Sequence, residues 1–264
     1  MSVRISVVTA VYNRRETVAQ AIESVLSQTH PNVETILIDG ASTDGTLEVL
    51  QPYRQHLDVF VSEPDRGIYD ALNKGIERAS GEVVGFLHAD DLFADREVLV
   101  RIADAFVDPQ VEAVYGDLVY VRHDDVDRVV RYWRAGEFEP SALRRGWMPP
   151  HPTFYVRRRI YQRLGLFDVR LRIAADYDFI LRYLGHPGIR VAYVPEVLVK
   201  MRTGGASNRS LGALIEKSRE DLFALRKNRS GGLLTLLCKN ARKLPQFFST
   251  PQPPAPPPAK VTEV

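Results

Sequence analysis

From Ile5 to Gly116 the chain alternates between short apolar, β-branched runs and stretches whose apolar residues recur on one helical face. The strand-like runs are 5–12, 33–39, 57–63, 82–87 and 111–116, and helix-like stretches at 16–28, 46–54, 69–80 and 95–107 fall between them. No other feature narrows the fold as much. Strands joined in sequence by a helix are parallel, because a crossover of that length returns the chain to the same end of the sheet. Buried on both faces, such strands read as continuous apolar runs, as these do. The expected fold class is α/β, with a mainly parallel central sheet and helices on both faces. Ligands of such sheets bind past the carboxyl ends of the strands, so the polar residues there carry the functional question.

The second half is less regular. Residues 118–134 read as a β-hairpin turning at HDDVD, and a Pro-rich loop over 147–154 leads to helices over 157–165 and 176–185. Two strands, RVAYVP and EVLVKM, precede RTGGASN (202–208), and a helix over about 209–229 follows. The segment 233–248 mixes Leu and Phe with Lys239, Arg242 and Lys243. This divides the chain into a domain over 1–208, a helical, basic, amphipathic extension over 209–248, and a Pro-rich tail over 249–264 that cannot build a core. With 264 residues and 45% apolar composition, there is material for one large domain and an appendage.

Each of the first four strands runs into polar residues. TAVYNRRE, after the first, has no glycine, which a dinucleotide-binding turn needs to bring backbone against a pyrophosphate; this argues against a nicotinamide-linked oxidoreductase. The second ends in DGASTDGT, where Asp39 stands at the strand terminus and Asp44 either caps the next helix or faces a ligand. The third leads into EPDRGIYDALNKGI: Gly67 permits a tight turn, the helix N-terminus attracts anions, and Arg66 adds charge. The fourth, in GFLHADDLF, stops at the adjacent carboxylates Asp90 and Asp91. Like charges so placed repel. Either they form a solvated turn, or they await a hard divalent cation, Mn2+ or Mg2+, that shares carboxylate, phosphate and water oxygens.

In their order and spacing, ISVVTAVYN, DGASTDGT, EPDRGIYDALNKGI and GFLHADD resemble the inverting glycosyltransferases of family 2, of the polysaccharide-biosynthesis type, which have the GT-A fold. The likeness extends over roughly residues 3–207, and only the combination of motifs is specific. The resemblance implies a nucleotide-sugar donor and a divalent metal. It implies that Asp39 holds the base, that Thr9, Ala10, Tyr12, Arg66, Gly67, Asp70 and Ala71 line the donor pocket, that Asp90 contacts the ribose, and that Asp91 is the metal ligand. His88 stands where many members carry Asp.

Inverting transfer is a direct displacement, in which an acceptor hydroxyl attacks as the nucleoside diphosphate leaves, and a positioned base takes the hydroxyl proton. The resemblance places that base at Asp176 in IAADYDFILRY, at the start of a helix; a helix cap is the structural alternative and Asp178 the competing carboxylate. Ala175 stands where members often carry Glu. His151 in PPHPTF matches a histidine common in these relatives near the donor diphosphate or the acceptor, or is a loop histidine without a role. Asp117 in VYGD meets a sugar hydroxyl or ends a strand. Gly204, Gly205 and Ser207 of RTGGASN resemble an element that closes over the donor, or form a turn.

The net charge of +2 gives no reason to expect nucleic acid. It is unevenly spread, however: residues 200–264 hold 12 Lys and Arg against 4 Asp and Glu. The segment 233–248 therefore either packs on the domain or lies on an anionic membrane surface. The acceptor that the resemblance implies is a saccharide or a lipid-linked one. The single cysteine, Cys238, excludes an internal disulfide and suits a reducing compartment. No signal peptide and no apolar run of spanning length is present, so the expected location is cytoplasmic, peripheral on the inner face of the cell membrane if 233–248 binds there. Two rivals remain. A nucleotidyltransferase that makes nucleotide sugars shows a Gly-rich, basic signature after the first strand, which TAVYNRRE lacks; a non-catalytic nucleotide- or sugar-binding module keeps binding without turnover.

Overall fold

The computed structural model describes residues 2–204 and 211–242. Strands β1 (Ile5–Val11), β2 (Val33–Asp39), β3 (Val59–Ser62) and β4 (Val83–Phe86) pair in parallel in the order β3-β2-β1-β4. Every residue of β1 and β4 is buried, which is why these runs are apolar without alternation. Successive side chains still point to opposite faces. Val8 and Ala10 pack with Ile36 and Ile38 under helix α3 (Ile68–Arg78), whereas Ile5, Val7 and Val11 face α1 (Val18–Leu26) and α4 (Val98–Ala105). Full burial of each such aliphatic side chain contributes about 1.5–3 kcal/mol, so the two faces hold the sheet between its helices.

The sheet continues as β4-β8-β6-β9-β5, with β7 on a branch from β6. Here β5 is Leu92–Phe93, β6 Val111–Val121, β7 Val129–Trp133, β8 Tyr155–Arg157 and β9 Arg190–Arg202. β8 runs antiparallel to both neighbours, so β6, and β9 parallel to it, point the same way as β1 to β4. Six of the nine described strands thus share one direction, and the mainly parallel sheet is borne out. The hairpin expected over 118–134 is β6 and β7, with Leu118 opposite Trp133.

Three local expectations are corrected. RVAYVP and EVLVKM are one strand, β9: Gly116 pairs with Val194 and Asp117 with Val197, so Pro195 and Glu196 form a bulge. Proline lacks the N–H that a ladder needs, and a bulge accommodates it without ending the strand. The helix expected over 46–54 stops early: α2 is Thr46–Leu50, followed by a 3-10 turn over Gln51–His56 that contains Pro52. Strands β5 and β8 and the short helix α5 (Pro140–Leu143) are too short to show a period and were not expected; β8 takes Arg157, the first residue of the helix expected over 157–165. Helices α6 (Arg158–Leu164) and α7 (Ala175–Leu184) stand where the periodicity put them.

The extension forms α8 (Leu211–Lys227) and α9 (Leu233–Ala241), whose Ala224, Leu225 and Leu236 join the apolar cluster of α7. Lys239 is only 4% exposed and pairs with Asp221 at 2.7 Å, so it is not on an outward basic face; residues 243–248 lie outside the described residues. The outward side of α9 carries Leu233, Leu234 and Leu237. No helix among the described residues is long and apolar enough to cross a membrane.

Candidate active site

The carboxyl ends of β1 to β4 open on one side of the sheet, and the segments that follow them are bonded to one another. Past β1, Asn13 takes a left-handed backbone (φ 52°) and its N–H donates to Ser42 Oγ, while Thr43 N–H donates back to Asn13 Oδ1. Arg14 N–H donates to Thr46 Oγ1, and Arg15 N–H to Asp44 Oδ2. Asp44 also accepts from Thr46 N–H at 3.0 Å, which makes it the turn-forming carboxylate ahead of α2. Tyr12, 59% exposed, stands over this wall beside Gly40.

Asp39, expected to hold the base, is wholly buried at the end of β2 and accepts from Ser42 N–H, Ser42 Oγ and Ser62 Oγ. The more open carboxylate at that end belongs to Asp65, which the sequence reading missed. Its Oδ1 accepts from Gly67 N–H at 2.7 Å, and its Oδ2 lies where a Cβ on Gly40 would sit. An Asp two residues ahead of a glycine reads as an ordinary turn, so only the neighbouring strand end gives it away. Gly67 caps α3 with φ 109° and open space around its α-carbon, a conformation that other residues rarely adopt. Asp70, in the first turn of α3, accepts from Arg66 N–H at 3.1 Å and from the Arg66 guanidinium at 2.7 Å, which closes the turn ahead of the helix. Thr9, Ala10 and Ala71 are enclosed in β1 and α3, so their side chains do not line an open pocket.

At the end of β4 the two aspartates part company. Asp91 is 1% exposed: Oδ1 accepts from Arg202 N–H at 3.2 Å, and Oδ2 is enclosed without a hydrogen-bond partner. Burial, then the charge of Asp90, pushes its carboxyl well above the usual range. Asp90 is turned outward and stands 3.7 Å from Arg14 Nε. Its backbone carbonyl accepts from Arg202 Nη1 at 2.8 Å, so Arg202 ties both aspartates to the end of β9. Asp91, expected as the metal ligand, is thus the enclosed member of the pair, and Asp90 the open one. The carboxylate that fits a cation shared with a ligand is Asp90, which is open and already attracts a positive group. Among the described residues no three His, Cys, Asp or Glu cluster as a complete metal cage. Asp90 would be the carboxylate to hold a hard cation here, which would neutralise phosphate charge beside it.

His151 enters from the turn ahead of β8. Because β8 runs antiparallel to β4, its start lies beside the end of β4. His151 Nε2 is 2.8 Å from His88 Nε2, and its Nδ1 is 3.2 Å from Asp176 Oδ2. Tyr69, on α3, donates its hydroxyl to Asp176 Oδ1 at 3.0 Å and to Ile173 O at 2.8 Å. Burial, reinforced by Asp176, holds the Tyr69 phenol protonated well above its ordinary range. Burial also lowers both imidazoles, His88 to about 4. Both rings are thus neutral at pH 7, and an N–H on His151 Nδ1 facing the carboxylate leaves His88 Nε2 as the donor of the pair. Asp176, part-exposed in the first turn of α7, is thereby joined through His151 to the strand end that carries Asp90.

The competing carboxylates are committed elsewhere. Asp178 is fully buried, accepting from Lys227 Nζ at 3.0 Å and Asn228 Nδ2 at 2.9 Å, and so anchors α8. Asp117 accepts from Tyr132 and Tyr193 hydroxyls and from Ala135 N–H, which ties the β6–β7 hairpin to β9. Gly204 is a turn residue with φ 97°; Gly205 and Ser207 lie outside the described residues.

The fold is that of a GT-A glycosyltransferase. The family model for glycosyl transferase family 2 matches residues 6–168, and the chain belongs to that family. It is 29% identical over 210 residues to a PGL/p-HBAD biosynthesis glycosyltransferase of Mycobacterium bovis, covering 77% of this chain and 78% of that protein. It is 42% identical over 90 residues to the putative teichuronic acid biosynthesis glycosyltransferase TuaG of Bacillus subtilis, covering 33% of this chain and 36% of that one. Among solved structures, the mannosyltransferase PcManGT of Pyrobaculum calidifontis in complex with GDP-Man and Mn2+ superposes with a TM-score of 0.64, at 21% identity, over 94% of this chain and 74% of that one. At that identity the likeness speaks for the fold.

Proposed function

We propose that the protein transfers a sugar from a nucleotide-sugar donor to an acceptor hydroxyl with inversion, assisted by a divalent cation, in assembling a cell-surface polysaccharide or glycolipid. One observation carries the reading: Asp176 is linked, through His151 and His88, to the strand end where Asp90 faces outward. In this reading Tyr12 stacks on the base, with Asp39 or Asp65 accepting from its edge. Arg14 and Asp90 receive the diphosphate, Arg14 directly. When bound, a divalent cation on Asp90 neutralises charge growing on the departing diphosphate. Asp176 Oδ accepts the acceptor's proton, while Tyr69 and His151 keep the carboxylate aimed.

The relative in PGL/p-HBAD biosynthesis and TuaG support a glycolipid or polysaccharide acceptor. PcManGT with GDP-Man and Mn2+ supports a nucleotide-sugar donor with a divalent metal. The exposed leucines of α9 support docking at the inner face of a membrane, with apolar contact in place of the buried Lys239. The test is thermal unfolding with uridine, guanosine and thymidine diphosphates and their sugars, with and without Mn2+, followed by product analysis of the anomeric configuration. A metal-dependent shift for one nucleotide and an inverted product are expected. A nucleotide sugar that stabilises the protein but is never turned over refutes transfer.

A further inference from the structure

The α8–α9 pair meets the backbone just ahead of Asp176 through Glu220. Glu220, on α8, lies against three consecutive backbone N–H groups: Oε1 accepts from Arg172 at 2.9 Å, and Oε2 from Ile173 at 2.8 Å and Ala174 at 2.9 Å. These residues directly precede α7, whose N-cap, Ala174, supplies no side-chain cap. An uncapped helix start leaves orphan donors, and a run of successive N–H groups forms a concave anion site. Glu220 fills that site from a distant part of the chain. Asp176 lies two residues beyond it.

The same segment is held from the other side. Ile173 gives its N–H to Glu220, its carbonyl accepts from the Tyr69 hydroxyl, and that hydroxyl also contacts Asp176 Oδ1. Next to Glu220, Asp221 pairs with Lys239 of α9, and Lys239 Nζ stands 3.4 Å from the centroid of the Tyr177 ring, adjacent to Asp176. The loop that leads to His151 rests on α9 as well. Gly146, at φ 73°, lies so close that a Cβ would stand 2.6 Å from Lys239 N.

Resting on the reading of Asp176 as the base, we propose that Glu220 is a positioning residue: its carboxylate, bound to the three N–H groups before α7, sets the direction in which Asp176 meets the acceptor. A reacting group displaced by about 1 Å costs up to about a hundredfold in rate. In the proposed reading the donor lies at the ends of β1 to β4, while the Glu220 carboxylate is taken up by the backbone N–H groups before α7, so binding and turnover separate.

The experiment compares Glu220→Ala, Glu220→Gln and Asp176→Asn with the wild type, measuring release of nucleoside diphosphate from UDP-, GDP- and dTDP-sugars, donor affinity by calorimetry, and the unfolding midpoint. Formate is added as a carboxylate that fits the emptied site. Glu220→Ala is expected to lower kcat ten- to a hundredfold at unchanged donor affinity, and formate to restore kcat saturably in that variant alone. Should the alanine variant fail to fold, Glu220→Gln keeps the side chain's size and is expected to lower kcat at unchanged donor affinity. Wild-type kcat in Glu220→Ala, or a joint fall of kcat, affinity and midpoint that formate does not reverse, overturns the proposal while leaving the base reading intact. If Asp176→Asn turns over as fast as the wild type, the base reading fails and the proposal with it.

Discussion

Arg14 Nε stands 3.7 Å from Asp90 Oδ2, joining the loop after β1 to the loop after β4. Both side chains are about a quarter to a third exposed, so the pair adds little to stability, about 0–1 kcal/mol. Its consequence is for binding. A guanidinium bonded to a phosphate contributes about 1.5–3 kcal/mol. Arg14→Ala should leave the urea midpoint near the wild-type value and weaken nucleoside diphosphate binding about ten- to a hundredfold by calorimetry. Unchanged affinity would show that Arg14 serves only Asp90.

Asp176 and Asp178, two residues apart, should respond in opposite ways. Asp176→Asn is expected to lower kcat by about 10²–10⁴ while sparing donor affinity. Asp178→Ala removes the buried carboxylate shared by Lys227 and Asn228, while Lys227 keeps Asp168, and should cost about 1–3 kcal/mol of stability, read in urea unfolding. The assignment fails if Asp178→Ala is stable and inactive.

Lys239 and Asp221 are both 4% exposed. Removing one partner leaves the other charge buried alone, so Lys239→Met should lower stability by about 3–5 kcal/mol, and Lys239→Met with Asp221→Leu should recover much of the loss. Chemical denaturation of the two variants reads both effects. A single variant as stable as the wild type would mean that the pair is solvated in solution.

His88 and His151 both titrate below the usual histidine value, His88 near 4. Between about pH 6.5 and pH 4 the unfolded chain therefore binds protons that the folded chain refuses. This contribution is fully present above about pH 6.5, falls as the pH drops towards 4, and levels off below. Urea midpoints from pH 4 to 8, in EDTA, should show a steeper acid loss in the wild type than in His151→Gln. Identical slopes would refute neutral, paired imidazoles.

Much of the parallel block was legible because its signals are local. β2 falls where the apolar run put it, and α3 begins one residue from its expected start. Gly67 was legible as a turn for the same reason: a φ of 109° selects glycine whatever packs around it. Asp90 and Asp91 were legible as a pair but not as individuals. Adjacent residues at a strand end point in different directions, and which one is enclosed depends on Arg202, more than a hundred residues away. β8 was invisible for a related reason, since three residues show no period and only their neighbours β4 and β6 make them a strand.

By itself, then, the sequence determined the alternation of strand and helix, and hence the parallel sheet, and the motifs that mark the family. Those depend on periodicity and on residue types whose preferences act within a few positions. Only the tertiary structure decided that Asp178 anchors a helix while Asp176 stays part-exposed, that His151 meets both His88 and Asp176, and that Glu220 caps the helix carrying that aspartate. Each of those is a contact between residues well separated in the sequence. Whether a carboxylate is a base, a cap or an anchor depends on which donors surround it, and in this chain the donors come from elsewhere in the fold.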